Sequence, residues 1–205
     1  MTIAGFSLAS NGVQEVGLAS HFFHDRGLGR AVKVLPGEFF VSDEEIAIQT
    51  VLGSCIAACI WDPTRKVGGM NHFMLPEGGA DDGESGRYGV FAMELLINAL
   101  LKRGASRANL KSKIFGGGAV MRGFTSLNVG EKNARFVEKF LSTERIPVVS
   151  RDLCDVYPRK VVFYPASGRA LMKKLPVTDH TVEIMEQKYG KSLATTPKAG
   201  DVELF

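Results

Sequence analysis

The stretch that decides how this chain folds is residues 55–75, CIAACIWDPTRKVGGMNHFML. Two apolar runs, CIAACIWD and VGGMNHFML, flank PTRK, in which Pro63 opens a turn. Apolar runs on both sides of a short turn signal are the pattern of a β-hairpin. If the turn centres on Thr64 and Arg65, residue i faces residue 129 − i, which sets His72 opposite Ala57. Cys55 is then the diagonal neighbour of His72 on the same face, about 7–8 Å away between backbones. A slip of one residue would turn His72 to the opposite face, so the register decides whether thiol and imidazole meet.

Working upstream, AVKVL, EFFV and EIAIQTVL are short β-rich runs separated by Pro36-Gly37 and Ser42-Asp43, which mark turns. Downstream, residues 76–88 form a polar, Gly-rich stretch that reads as a loop. Helical spacing begins near Val90, with Met93, Leu96, Ile97 and Leu100 on one side and Phe91 and Leu95 on the other, and Gly104 as stop. A helix apolar nearly all round should be well buried. The strand KSKIF runs into Gly116-Gly117-Gly118, which reads as a strand-end turn bordering the site, since no Gly-Lys-Ser/Thr follows to make a phosphate loop. A second helix is predicted from Asn128, capped by Asn128 and Glu131, with Ala134, Val137, Phe140 and Leu141 on its apolar side.

IPVVS resumes strand character, and KVVFYP, ASG and RALMKKL form a last hairpin. Thr178 to Tyr189 has the makings of one more helix, followed by an exposed tail. Two principal helices with roughly eight short strands give an α/β or α+β fold, a single layered domain. The expected organisation is a flexible arm over residues 1–30, the domain over 31–176, and a C-terminal helix and flexible tail over 177–205. The acidic and apolar end Asp201, Val202, Glu203, Leu204, Phe205 is a candidate docking peptide.

The chain has 205 residues, Lys+Arg 25 against Asp+Glu 22, and a net charge of +3 with the charges interspersed. It lacks the concentrated basic face that phosphate binding would use, so nucleic acid is not an expected partner. Between Glu45 and Asp62 the chain is uncharged for 16 residues. That is short of the ~20 a membrane span needs, and no membrane insertion is expected. Without a basic n-region, apolar run and cleavage site near its start, the chain is expected in the cytoplasm. Three cysteines, Cys55, Cys59 and Cys154, are odd in number, and a reducing compartment would hold them as thiols.

A cysteine becomes a nucleophile when its thiol is ionised by a neighbouring imidazole, positive charge or helix N-terminus. His72 is the residue that the hairpin brings to Cys55. In Gly53-Ser54-Cys55, Gly53 allows a tight backbone and close substrate approach, and Gly53 and Ser54 line a site in which nearby amides could hold an oxyanion. The competing reading is that Cys55 and Cys59 are small buried strand residues with inert thiols. Metal binding by Cys55, Cys59 and His72 does not match a zinc pattern, and His21 with His24 finds no completing ligands nearby, so no metal is expected.

Taken together, TVLGSCIAACIWDP, VGGMNHFMLP, KIFGGGAVM, VGEKNARFVEKFL and PRKVVFYPASGRA, in this order, resemble the chemoreceptor glutamine deamidase family, CheD. The resemblance runs from about Leu35 to Leu175. It implies a compact sandwich, mixed and largely antiparallel, in which a cysteine and a histidine, here Cys55 and His72, convert glutamines of methyl-accepting chemotaxis receptors to glutamate through a thioester without a cofactor. The partners it implies are the cytoplasmic helical region of those receptors and a CheC-type phosphatase. The family also has a threonine upstream of the cysteine that orients the histidine. Six positions before Cys55 stands Gln49, with Thr50 one step later, and on a regular strand the two point to opposite faces. Thr50 is favoured, because its hydroxyl can accept from an imidazole N–H. Another Cys-His acyl-transfer enzyme, a peptidase or transglutaminase, would use the same pair, and a non-enzymatic chemotaxis adaptor would use neither.

Overall fold

The computed structural model describes residues 18–75, 82–120, 126–176 and 180–195. Along the chain come strands β1 (His21–Asp25), β2 (Gly29–Lys33), β3 (Phe39–Ser42), β4 (Ala47–Leu52), β5 (Ile56–Asp62) and β6 (Val67–Asn71), then helix α1 (Asp82–Lys102). After them come β7 (Lys111–Gly116), α2 (Ser126–Thr143), β8 (Val148–Leu153), β9 (Arg159–Tyr164), β10 (Arg169–Lys174) and α3 (His180–Thr195).

The strands form two five-stranded sheets, ordered β1-β2-β4-β9-β10 and β3-β6-β5-β7-β8. Each holds a single parallel pair, β2 with β4 and β7 with β8, and is otherwise antiparallel. The mixed, largely antiparallel α+β architecture is thus the one expected.

Strand β5 explains the layering. All seven of its residues are buried, which is why the sequence there is continuously apolar instead of alternating. Cys55, Ala57, Cys59 and Trp61 face the other sheet, packing with Ile48, Leu52, Val161 and Phe163. Ile56, Ala58 and Ile60 face the opposite way, onto Met93, Leu96, Ile97 and Leu100 of α1 and Val137 and Leu141 of α2. The result is helices on sheet on sheet, with β5 between two apolar cores.

The hairpin has the register read from its turn. Cys59 pairs with Met70 and Asp62 with Val67, and an isolated bridge joins Ile56 to Phe73. The turn is held by Asp62, whose Oδ1 accepts from the amides of Thr64 (2.8 Å) and Arg65 (3.0 Å) while Oδ2 accepts from Ser106 (2.8 Å). One carboxylate therefore fixes both the turn and its seat against the loop after α1.

Four details differ from the sequence reading. Residues 21–33, read largely as a loose arm, form the β1–β2 hairpin, closed by Asp25 Oδ1 accepting from Gly27 and Leu28. Exposed His21 and His24 sit in β1, which has no buried face to print a pattern. Helix α1 begins at Asp82, inside the stretch read as a loop. It is buried on one side only, because Phe91 is 55% exposed. Helix α2 starts at Ser126, so Asn128 lies within it and not at its cap. Residues 1–17 of the arm and the tail from 196, with the docking peptide, lie outside the described residues.

Because Asp62 sets the register that carries His72, Asp62→Ala is expected to lower stability by about 1–3 kcal/mol through three amides left without an acceptor. Urea denaturation would measure it, and an unchanged midpoint would show that the turn does not depend on this carboxylate.

Candidate active site

Cys55 is the last residue of the three-residue loop between β4 and β5, and His72 follows the last residue of β6. Both are buried, at 0% and 1% exposure. The loop is held from one side. The carbonyl of Gly53 accepts from Gly118 N (2.7 Å), that of Ser54 from Asn133 Nδ2 (2.8 Å), and that of Cys55 from Gly117 N (2.9 Å). Gly116 and Gly117 adopt left-handed φ values of 118° and 68°, and a Cβ on Gly116 would stand 2.0 Å from the Cys55 carbonyl oxygen. Only glycine lets these backbones touch.

With three successive carbonyls tied on one side, three successive amides converge on the other. They meet the carboxylate of Glu186 on α3. Its Oε1 accepts from Gly53 N (2.8 Å) and Cys55 N (3.0 Å), and its Oε2 from Ser54 N (2.7 Å) and Ser54 Oγ (2.8 Å). Such converging amides form an anion-binding concavity. Gly53 makes room for it, since a Cβ there would lie 2.6 Å from Glu186 Oε2.

The imidazole is oriented by Thr50. Thr50 Oγ1 lies 2.8 Å from the Val34 carbonyl oxygen and 2.8 Å from His72 Nδ1. A hydroxyl carries one hydrogen and the carbonyl can only accept, so Thr50 donates to Val34 and accepts from Nδ1–H. The neutral ring therefore presents a lone pair at Nε2, which is buried and has no hydrogen-bond partner among the described residues. Gln49 is the adjacent residue on β4 and points to the other face, with no hydrogen bond to His72.

Cys55 Sγ, an imidazole nitrogen of His72 and a carboxylate oxygen of Glu186 all lie within 4.8 Å of one another. These three could in principle ligate a metal. A carboxylate offers about four lone-pair directions, and here four N–H and O–H donors use them, which suits an anion in a nest better than a metal ligand. Cys59 is four residues further along, in β5 opposite Met70, and is not part of this group.

Burial sets the protonation state. It pushes the Cys55 thiol well above its ordinary pKa, and the Glu186 charge and hydrogen bond add to the rise. Burial likewise holds the His72 imidazole down at about 4, against the opposing pull of Glu186. With Glu186 in place the site holds a neutral thiol beside a neutral imidazole. Cys59 is raised by burial too, and Cys154 lies half-buried at the edge of the second sheet.

A family model described as CheD chemotactic sensory transduction matches residues 74–174. The "Probable chemoreceptor glutamine deamidase CheD 1" of Albidiferax ferrireducens is 54% identical, over 94% of this chain and 83% of that protein. The "Probable chemoreceptor glutamine deamidase CheD" of Methylobacillus flagellatus is 53% identical over 92% and 96% of the two chains. The chain belongs to the CheD family. A third CheD protein of the same name, from Thiobacillus denitrificans, is 52% identical over 95% of this chain and all of its own length. The family-model match begins after His72 and ends before α3, so the site of this CheD chain is completed by elements on both sides of it.

Two residues of the site escape a reading of the sequence alone. Asn133 also accepts from Leu75 N (2.9 Å), tying the strand end after His72 to the loop before Cys55. It sits between Val129 and Val137 on the buried face of α2, a polar residue at fourfold spacing within an apolar stripe. Glu186 likewise lies between Val182 and Tyr189 on α3. A lone polar residue in an apolar helical stripe is the signal that both carry.

A histidine held neutral by burial makes stability depend on pH. Unfolding raises its pKa from about 4 to the ordinary 6.5, so the unfolded chain takes the proton first. The contribution is present above 6.5 and is lost as pH falls towards 4. The unfolding free energy of the native chain should therefore fall more steeply over that window than that of His72→Gln, and equal slopes in urea titrations would contradict the buried neutral imidazole.

Proposed function

We propose that the chain is a protein-glutamine deamidase that converts glutamines on the cytoplasmic helical region of methyl-accepting chemotaxis receptors to glutamate, releasing ammonia, and that it works in the cytoplasm. The observation that carries this reading is the chain of contacts from the Val34 carbonyl through Thr50 to His72, which leaves Nε2 as a base beside the Cys55 thiol. The names of the relatives supply the substrate class.

In this mechanism His72 Nε2 takes the Cys55 proton as Sγ attacks the side-chain carboxamide carbon of the glutamine. The developing oxyanion is held by the converging amides of Gly53, Ser54 and Cys55, and the ties on the Gly53 and Ser54 carbonyls aim the Ser54 and Cys55 amides in advance. His72 returns the proton to the departing nitrogen, ammonia leaves, and a thioester remains. A water activated by the same Nε2 then hydrolyses it, restoring the thiol and leaving glutamate. Thr50 keeps Nδ1 protonated throughout, so that Nε2 alone exchanges the proton. No cofactor enters these steps.

The neutral pair also suits the cycle. In a dry site a thiolate-imidazolium pair is disfavoured until a negative charge is to be stabilised elsewhere. The amide nest provides that stabilisation once a carbonyl oxygen occupies it.

Mass spectrometry of receptor cytoplasmic fragments incubated with the protein should show a gain of about one dalton per modified glutamine and no chain cleavage. Cleavage would point to a peptidase, amine incorporation to a transglutaminase, and an unchanged receptor would defeat the enzymatic reading. Cys55→Ala is expected to abolish the conversion, while Cys59→Ala and Cys154→Ala retain most of it.

Thr50→Ala should slow turnover by roughly a hundredfold, a typical value for disabling a positioned acid-base group, while the protein stays folded. Native turnover in Thr50→Ala together with loss in Gln49→Ala would move the orienting role to Gln49.

A further inference from the structure

Helix α3 is more than a surface element. Val182 and Glu186 are buried, and Tyr189 and Leu193 pack against the core between the sheets. These residues lie at i, i+4, i+7 and i+11, one face of the helix. The body of the domain is shaped to receive that face. A Cβ on Gly53 would lie 2.6 Å from Glu186 Oε2, and one on Gly37, at φ 85°, would lie 2.8 Å from the Tyr189 hydroxyl. Tyr189 also hydrogen-bonds the Tyr88 hydroxyl of α1, and Gly190 lies against Met74 Cε. The opposite face, with Ile184 at 65% exposure, looks outward.

Glu186 is an odd residue with which to pin a helix. Burying a carboxylate is costly unless it is paired or fully hydrogen-bonded, and an apolar residue would dock the helix with less penalty. Among the described residues it has no ion-pair partner. Its backbone and hydroxyl partners are the three amides and the hydroxyl of residues 53–55, and the Cys55 thiol adds a further hydrogen bond. The carboxyl carbon of a glutamate side chain is thus delivered, from a helix, to the nest beside Cys55 and His72. That is what the product of glutamine hydrolysis would look like at the moment it forms. The same contact leaves Cys55 and His72 with no more than 1% exposure, closed to any macromolecular substrate.

We propose that α3 is a tethered product mimic, which occupies the groove where a substrate helix docks and places Glu186 where the newly made glutamate sits, so that a receptor helix must displace it. This deepens the reading given under Proposed function and rests on it for the identity of the displacing partner. It also describes the substrate face. The target glutamine lies on an α-helix with a small apolar residue four positions before it and an aromatic or large apolar residue three after, the places of Val182 and Tyr189.

A direct test follows from the near-identity in shape of glutamate and glutamine. In the full-length Glu186→Gln chain the nest receives a carboxamide instead of a carboxylate. Cys55 Sγ should then bond to Cδ of the glutamine, with its proton passing to His72 and on to the leaving ammonia. Water then breaks the S–C bond, returning the thiol and creating a carboxylate at position 186. Intact-mass and peptide analysis should show a gain of about one dalton at position 186. The conversion should be absent when Cys55→Ala is added. Retention of the glutamine in the folded variant, or equal conversion without Cys55, overturns the proposal.

Full-length Glu186→Ala keeps the test open if the glutamine variant does not fold. Without the carboxylate, Cys55 should be alkylated by iodoacetamide at least about tenfold faster than in the native chain, since both access and thiolate formation improve. Equal rates overturn the proposal. The two readings fail separately. Conversion at position 186 with receptor fragments untouched leaves the mimic standing and removes the receptor as substrate. Receptor turnover with no conversion at position 186 and unaltered alkylation leaves the deamidase standing and removes the mimic.

Discussion

Three consecutive peptide groups, at Gly53, Ser54 and Cys55, are the constraint on which the rest of the site depends. Their carbonyls are each tied by a donor from elsewhere in the fold: two amides of the turn after β7, and the side-chain amide of Asn133 on α2. A peptide plane whose carbonyl is fixed has its N–H fixed as well. The Gly53 and Ser54 carbonyls share their planes with the Ser54 and Cys55 N–H groups, so these two donors stay aimed at the point on which the Gly53 N–H also converges. Preorganisation of this kind is what gives electrostatic stabilisation its value, because no dipoles need to be reoriented when charge develops.

The second element, the imidazole, is arranged by a logic of proton counting. Val34 offers a carbonyl, which can only accept, and so dictates the direction of the Thr50 hydroxyl. That in turn dictates which nitrogen of His72 carries the proton. The whole sequence lies in the interior, where burial keeps both the Cys55 thiol and the His72 imidazole neutral. Burial disfavours charge separation, and the converging amides supply the one place where a negative charge is welcome. The layered fold makes this possible. β5 lies between two apolar cores, so the residue that precedes it emerges in a dry pocket with sheet on one side and helices on the other.

Two helices reach into this pocket with one polar side chain each. Asn133 from α2 uses both ends of its amide, giving to Ser54 and taking from Leu75, and so joins the loop before Cys55 to the strand end after His72. Glu186 from α3 meets the same loop from its open side. The first contact is structural in the strict sense that it fixes backbone. The second satisfies the three amides and the Ser54 hydroxyl and pins α3 against the loop as it does so.

Much of this was legible in the sequence. The uninterrupted apolar run of β5, the Pro63 turn and the partner run of β6 determine a hairpin, and its register follows from counting outward from Thr64 and Arg65. That count alone brings Cys55 and His72 to one face, and strand alternation alone sets Thr50 and Gln49 on opposite faces. These are local properties, with period two and a short turn, and local chemistry is what a sequence writes down directly. What only the tertiary structure decided is which of Thr50 and Gln49 meets the imidazole, because β4 belongs to the other sheet and its facing is set by how the two sheets pack. It also decided the partners of residues 53–55. Gly117, Gly118, Asn133 and Glu186 lie more than 60 positions away along the chain, and hydrogen bonds across that separation leave no periodicity behind. A single polar residue within an apolar stripe, at Asn133 and at Glu186, marks that a buried partner exists. Its identity comes only from the folding that brings α2 and α3 over the loop.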